Sequence, residues 1–379
     1  MYSESVSAAR RLLGAMFCAG AALLLGAEQA MAAPLAVAPY TLTTFNGVPP
    51  MGMLPNGTTG QVNQPDDLAI TADGKDLWVG YGNGAATDGS KGGGNLVEYD
   101  IASGTVLQNI AIPGHLDGLK INPTTGDIWA TENEDLNPTL AIVSAKTGKF
   151  KTPTTFSTTS ITGGLDDLAF SGPDSENVFI VASSQTPTDL TKPVIIQVSS
   201  KPKKTITSVQ TVLSGSPAHV LNVVTNEDET TDQVTDPDSM TLDPAGELVL
   251  DNRKDLDDSL YIVRNPGATK PVLRVPLTLA GVPVEVNDTI FTASATTGEA
   301  STDGTICITD TTANAIYLLT KPYFPSNEVY TAANVVNKVG LVDLNTGVVT
   351  PVVTGFQGVH GLAFSPISVG ISAPLEGRP

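Results

Sequence analysis

The chain has few cysteines, few basic residues and, beyond its N-terminal segment, no long apolar run. It contains two cysteines, Cys18 and Cys307, so a disulfide framework is excluded and a hydrophobic core must hold the fold. Lys and Arg number 20 against 39 Asp and Glu, which gives a formal net charge of −19. Phosphate contact needs clustered cations, so nucleic acid and anionic membrane surfaces are excluded as partners. We interpret the one dense basic run, 201–204, as a solvated hairpin turn.

Several catalytic and cofactor signatures are also missing. The sequence has no G-x-S-x-G, no H-E-x-x-H and no C-x-x-C-H. The glycine-rich segment 82–94 lacks the Lys-Ser/Thr of a P-loop and is followed by a strand-like run, so it does not indicate phosphate binding. No stretch after the N-terminal segment is long and apolar enough to span a membrane.

Residues 1–32 have the pattern of a secretory signal peptide. Arg10-Arg11 precede an apolar stretch, and Ala30-Met31-Ala32 fits an A-x-A cleavage site. We therefore expect cleavage near Ala32 and a periplasmic or secreted protein. The arginine pair fits a twin-arginine signal and an ordinary basic region equally well, so both export routes stay open.

A short motif recurs six times in the remaining chain. Each copy is a polar residue followed, two positions later, by a strand-like apolar run, and successive copies are 51, 49, 72, 50 and 72 residues apart. A period near fifty with several short strands per unit is typical of a β-propeller rather than a helical solenoid. The six polar residues are Asp66, Asp117, Asp166, Asp238, Asp288 and His360.

The rest of each repeat supports an all-β chain. A polar turn and a second apolar run follow each of the first five markers, as in 76–79 after the first and 305–308 after the fifth. No segment keeps a 3.6-residue apolar period. We predict one six-bladed β-propeller over residues 33–379, with four-stranded antiparallel blades, as a monomer. His360 lies near the C-terminus, so segments within 33–64 are expected to complete its blade, and both terminal segments then close the ring.

The innermost strands of a propeller begin at the rim of its central channel, so the six markers are expected to form a ring. Two unit charges roughly 6 Å apart repel by about 3 kcal/mol at an effective dielectric near 20. Five carboxylates therefore require either a bound cation or protonation of some carboxyls with a raised pKa. Ca²⁺, or another divalent cation, suits a set of oxygen ligands. The predicted metal ligands are Asp66, Asp117, Asp166, Asp238 and Asp288. The alternative is that each aspartate only caps a turn by accepting nearby backbone N–H groups.

Residues 237–250 read P-D-S-M-T-L-D-P-A-G-E-L-V-L. This stretch resembles the P-D-G-M-x-x-D-x-x-G-x-L-W-V-A segment of the gluconolactonase and senescence marker protein family, and 65–79 repeats the pattern. The family shares its six-bladed fold with strictosidine synthase, paraoxonase and squid-type phosphotriesterase. The resemblance implies that Asp238 binds a divalent metal and assists deprotonation of water or substrate. The family's other ligands are typically a glutamate and two asparagines, where this chain has Asp66, Asp117 and Asp166.

Two functional hypotheses follow. The first is a metal-dependent hydrolase of a lactone or ester, acting on a small molecule at the channel mouth, with Asp238, His115 and His360 as candidate catalytic residues. The second is a non-catalytic exported propeller that binds a ligand or protein partner on the same face. NHL-type propellers without enzyme activity show similar motifs, so the fold alone does not decide between them.

Overall fold

The computed structural model describes residues 33–366 apart from 55, 152, 158–160, 162, 173, 183–189, 231, 254–257, 265–270 and 293–303. This part of the chain contains strands and no helix, which confirms the predicted all-β class. It therefore has no helix that could cross a bilayer. The predicted signal peptide, 1–32, lies outside the described residues.

The strands follow one another with short connections. The first eleven are β1 (Leu35–Ala36), β2 (Thr41–Thr44), β3 (Met51–Met53), β4 (Thr59–Gln61), β5 (Pro65–Ile70), β6 (Asp76–Tyr81), β7 (Gly94–Asp100), β8 (Val106–Ile112), β9 (Leu116–Ile121), β10 (Ile128–Glu132) and β11 (Thr139–Ser144). The next eleven are β12 (Lys149–Phe150), β13 (Thr154–Phe156), β14 (Leu168–Ser171), β15 (Asn177–Val181), β16 (Pro193–Ser199), β17 (Thr205–Ile206), β18 (Gln210–Ser214), β19 (Val220–Asn222), β20 (Glu227–Glu229), β21 (Pro237–Leu242) and β22 (Leu248–Asn252). The last eleven are β23 (Ser259–Val263), β24 (Val272–Pro276), β25 (Thr278–Leu279), β26 (Val282–Pro283), β27 (Asp288–Phe291), β28 (Gly304–Asp310), β29 (Ala315–Lys321), β30 (Val329–Ala333), β31 (Lys338–Asp343), β32 (Val348–Thr354) and β33 (Val359–Ser365).

Five blades run outward in chain order from an inner strand. They are blade 1 (β5-β6-β7-β8), blade 2 (β9-β10-β11-β13), blade 3 (β14-β15-β16-β18), blade 4 (β21-β22-β23-β24) and blade 5 (β27-β30-β31-β32). Short extra strands extend some of these sheets at the outside. The second strands of blades 1 to 4 are the apolar runs that the sequence predicted for the first four repeats, and they are β6, β10, β15 and β22.

A composite sheet closes the ring. Its order is β33-β28-β29-β2, so the C-terminal strand is innermost and an N-terminal strand is outermost. The predicted closure by both terminal segments is confirmed. The predicted propeller class is confirmed, but the predicted count of six blades is wrong. Five blades follow in chain order and the composite sheet closes the ring, because β28 and β29 are inserted between the first and second strands of blade 5. Residues 305–308 consequently pair with β33, with Cys307 opposite Ala363, and not with the strand that begins at Asp288.

The inner strands form a closed ring around the axis, because β5, β9, β14, β21, β27 and β33 each contact the next, and β33 contacts β5. The core lies between neighbouring sheets. Trp129 of blade 2 meets Phe170 of blade 3 edge to face at 5.2 Å between ring centroids. Phe45, just after β2, packs in the same way on Tyr99 of blade 1 at 5.5 Å. Buried aromatic pairs of this kind add about 0.5–1.5 kcal/mol to the stabilisation from burial alone.

Candidate metal centre in the central channel

The inner strands line a cavity of about 10 Å³ on the axis, which is room for one ion or one water. Two consecutive residues at or directly before the start of each inner strand line the cavity, and the twelve residues form two tiers. The first tier, at the start of the strands, is Asp66, Asp117, Asp166, Asp238, Asn287 and His360. The second tier is Asp67, Gly118, Asp167, Ser239, Asp288 and Gly361. The predicted convergence of the markers on the axis is therefore observed for five of them in the first tier.

The fifth marker, Asp288, belongs to the second tier. In blades 1, 3 and 5 a second-tier carboxylate accepts the backbone N–H of the following sheet, and the pairs are Asp67 with Leu119, Asp167 with Met240 and Asp288 with Leu362. Asn287 instead donates its amide to the first-tier carboxylate Asp238, at 2.5 Å. The predicted register is thus wrong by one residue in blade 5, where two polar residues precede the strand. The role of Asp288 as a metal ligand stays a prediction.

Glycines in the second tier let the inner strands approach closely. A β-carbon at Gly118 would lie 2.4 Å from the carbonyl oxygen of Asp166, and one at Gly361 would lie 2.5 Å from that of Asp66. Both glycines donate their backbone N–H to a buried threonine hydroxyl, Gly118 at 2.9 Å and Gly361 at 2.7 Å. The glycine that follows Asp117 and the one that follows His360 are therefore required because a side chain would not fit there.

Lys120 is the cation of the second tier, and the sequence did not indicate it. Its ammonium lies 3.1 Å from the carboxylate of Asp67 and 2.9 Å from that of Asp167. Burial lowers the pKa of Lys120, but the two carboxylates outweigh burial and raise the pKa above its usual value. Lys120 is therefore protonated at neutral pH.

Two first-tier carboxylates have cationic partners within the protein. Asp66 forms an ion pair with Nδ1 of His360. Asp238 lies 3.2 Å from the guanidinium of Arg253, which also contacts Glu285. Burial is the largest single influence and lowers the pKa of His360, but the charge and hydrogen bond of Asp66, together with the charge of Asp238, outweigh it and raise the pKa above its usual value.

Asp117 lies at the centre of the remaining acidic groups. Its Oδ2 atom is shielded from solvent and has no hydrogen-bond partner. It belongs to two sets of three side chains in which the ligand atoms lie within 4.8 Å of one another, Asp66-His115-Asp117 and Asp117-Glu134-Asp166. Burial, followed by the charges of Glu134 and Asp166, raises the pKa of Asp117 well above its usual range. Burial and neighbouring carboxylates raise the pKa of Glu134 to about 8. The two shifts have one physical cause, which is negative charge concentrated in a small buried volume.

His115 precedes β9 and reaches the same group. Its Nδ1 is buried without a hydrogen-bond partner, and its Nε2 lies 3.9 Å from Oε1 of Glu134. The loop of blade 1 covers it, because a β-carbon at Gly82 would lie 3.4 Å from the imidazole. Of the three candidate catalytic residues, His115 therefore has a free ring nitrogen, whereas His360 and Asp238 are held by protein partners. Their catalytic roles stay predictions.

The sequence missed five charged residues of this centre, and their signals differ in strength. The Asp-Asp doublets at 66–67 and 166–167 indicate a second layer of carboxylates, whereas Lys120 occupies an ordinary alternating position of its strand and gives no such signal. Glu134 and Arg253 lie in loops after second strands, where no period tells which side chain turns toward the axis.

Comparison with known proteins finds only distant structural similarity. No family model and no curated protein sequence matches the chain. Among solved structures, the streptogramin B lyase structure is similar over 85% of this chain and 90% of its own, with 15% identity and a TM-score of 0.44. The periplasmic gluconolactonase of Pseudomonas aeruginosa is similar over 83% and 91%, with 14% identity and a TM-score of 0.44. Hydrazine synthase of Kuenenia stuttgartiensis is similar over 76% and 78%, with 9% identity and a TM-score of 0.44. Similarity at this level carries no information on activity.

Proposed function

We propose that the chain binds one divalent cation, preferably Ca²⁺, in the first tier, and that it hydrolyses a lactone or ester at this ion. The observation that supports the proposal best is Asp117, whose buried Oδ2 has no hydrogen-bond partner and is shared by two sets of closely spaced ligand atoms. Like charges at such distances need a cation or a proton to offset them.

The donor set fits a hard cation. The residues that would hold the ion are Asp66, Asp117, Glu134 and Asp166, which all supply carboxylate oxygens, and His115 lies beside this set. Ca²⁺ accepts such oxygen-rich, irregular sets, whereas Zn²⁺ usually takes thiolate or imidazole ligands in a tetrahedron. Arg253 pairs with Asp238, and His360 pairs with Oδ1 of Asp66. The ion would therefore be confined to the half of the ring around Asp117.

The bound ion would polarise a substrate carbonyl. His115 would take a proton from water through its unbonded Nδ1, and Glu134 at 3.9 Å would orient the ring. His360 is expected to stay charged beside Asp66, so it would serve as a fixed counter-charge and not as a base. Asp238 would accept hydrogen bonds from Asn287 and Arg253, and thereby position both groups at the mouth.

The small cavity favours a second candidate function. A volume of about 10 Å³ holds an ion but no substrate, so any organic ligand would have to lie above the first tier. An exported propeller that binds a ligand or partner with calcium in a purely structural role fits this observation without any catalysis. Export of the protein, with cleavage of the signal peptide near Ala32, is part of both proposals.

Calcium is expected to raise the melting temperature. An ion that binds the folded ring and not the unfolded chain adds about 2.7 kcal/mol at a hundredfold excess over its Kd. Asp117→Asn should reduce the shift several-fold and raise the melting temperature of the metal-free protein, because it removes the most crowded charge. The measurement is a thermal melt in millimolar calcium and in chelator.

Asp228→Asn is the matched control, since Asp228 is exposed on β20 and its loss removes the same charge. Equal melting temperatures with and without calcium would end the metal proposal. A panel of lactones and esters, assayed with and without chelator, then separates the two functions. A calcium shift without turnover of any member would favour the binding protein.

A further inference from the structure

A separate cluster of charges lies in the second tier. Its carboxylates come from alternate blades, Asp67, Asp167 and Asp288, and the intervening sheets contribute Gly118, Ser239 and Gly361. The ammonium of Lys120 bonds two of the three carboxylates, and the charge of the third, Asp288, also acts on it. An ammonium has three N–H donors, which suits a cage with three acidic walls.

Asp251 provides an independent sign that this tier requires positive charge. The residue is fully buried, and its Oδ1 has no hydrogen-bond partner. Its Oδ2 accepts from the hydroxyl of Thr289, which directly follows Asp288. The charges that act on Asp251 include Asp167 and Lys120, so this carboxyl faces the same cluster from the second strand of blade 4.

We propose that the second tier is a cation-binding cage whose resident cation is the ammonium of Lys120. The tethered ammonium occupies the place that a diffusible ion would otherwise take, and it closes the channel below the first tier. The natural chain therefore binds at most one metal ion on its axis. Removal of the ammonium opens a second site with Asp67, Asp167 and Asp288 as ligands.

Lys120→Met is the informative change, because methionine keeps most of the apolar stem and removes the charge. Without calcium its melting temperature should fall by about 5 °C or more, since three buried carboxylates lose their counter-ion. In millimolar calcium the variant should bind one ion more than the natural chain and recover most of the loss. Titration calorimetry, metal content after dialysis and thermal melts measure the three quantities.

The comparison with the natural chain keeps this inference distinct from the proposed function. If the first tier binds no ion, the count rises from zero to one, and if it binds one, the count rises from one to two. Lys151→Met is the control, because the ammonium of Lys151 is exposed and pairs with a single carboxylate, Asp127, at 2.6 Å. It should change neither the ion count nor the response to calcium.

A second variant guards against failure to fold. Lys120→Met combined with Asp67→Asn and Asp167→Asn removes the repulsion together with the ammonium, and it should fold without calcium and gain no ion. An unchanged ion count in Lys120→Met, with no extra stabilisation by calcium, would overturn the proposal. The same conclusion would follow if Lys120→Met stayed unfolded in calcium while the triple variant folded, because calcium would then be unable to replace the ammonium.

Discussion

Gly118→Ala is expected to destabilise the protein by about 3 kcal/mol or more, although it adds one methyl group. The new β-carbon would lie 2.4 Å from both the carbonyl oxygen of Asp166 and the Cα of Asp167. These are backbone atoms of the segment directly before β14, the neighbouring inner strand, so no side chain can rotate away. Strands β9 and β14 would have to separate, in a ring that closes on itself and is close-packed.

The same separation should weaken the candidate metal centre, because Asp117 precedes Gly118 and its partner Asp166 lies on the strand that is displaced. We therefore expect a lower free energy of unfolding by denaturant melts and a lower calcium affinity by calorimetry. Gly80→Ala is the control, since Gly80 lies on β6 at the same level and its β-carbon would have an ordinary 3.6 Å contact with Asp67. Similar stabilities of the two variants would contradict the close approach.

Removal of the outer strand of the composite sheet is expected to abolish stable folding. A chain that begins at Asn46 lacks β2, Tyr40 and Phe45, whereas one that begins at Ala38 lacks only β1. Loss of Phe45 alone should cost about 3–5 kcal/mol, because it packs on Tyr99 in the core. Removal of β2 costs further stability, because four residues of β29 lose their pairing partners and β29 becomes an open edge. The sum reaches the 5–15 kcal/mol that typically separates folded from unfolded proteins.

The shorter truncation is the matched control, because Leu35 of β1 is mostly exposed and its strand has two residues. It should change the free energy of unfolding by about 1 kcal/mol or less. Soluble yield, far-ultraviolet circular dichroism and thermal melts compare the two chains. A cooperative melt of the chain from Asn46 at the temperature of the longer one would show that the composite sheet does not need its outer strand.

The sequence predicted most of the first tier because the geometry there is local. A polar residue two positions before an apolar run marks the start of an inner strand, and this placed Asp66, Asp117 and Asp166 together without knowledge of any distant contact. The rule failed in blade 5, where Asn287 and Asp288 are both polar and either fits the pattern. Only the acceptance of the Leu362 N–H identifies Asp288 as the equivalent of Asp67.

The features that the sequence missed are non-local. The apolar run 305–308 was correctly identified as a strand, but its partners are decided by β33 and β29 and not by its neighbours in the chain. Lys120 occupies an ordinary alternating position between Leu119 and Ile121, so its direction toward two carboxylates appears only when blades 1 and 3 flank it. The same limit applies to Arg253, which directly follows β22.

The composite sheet also constrains the order in which the protein can be made. Strand β28 emerges during synthesis before β33, and β29 must pair with β2, which was made much earlier. Until the last inner strand arrives, the β28-β29 hairpin has one edge without its partner, and the ring of inner strands is open. Pairings at such sequence separations are slow to form, and unpaired edges promote aggregation in the interval. A nascent chain that stalls before residue 359 would therefore hold a nearly complete propeller that cannot close.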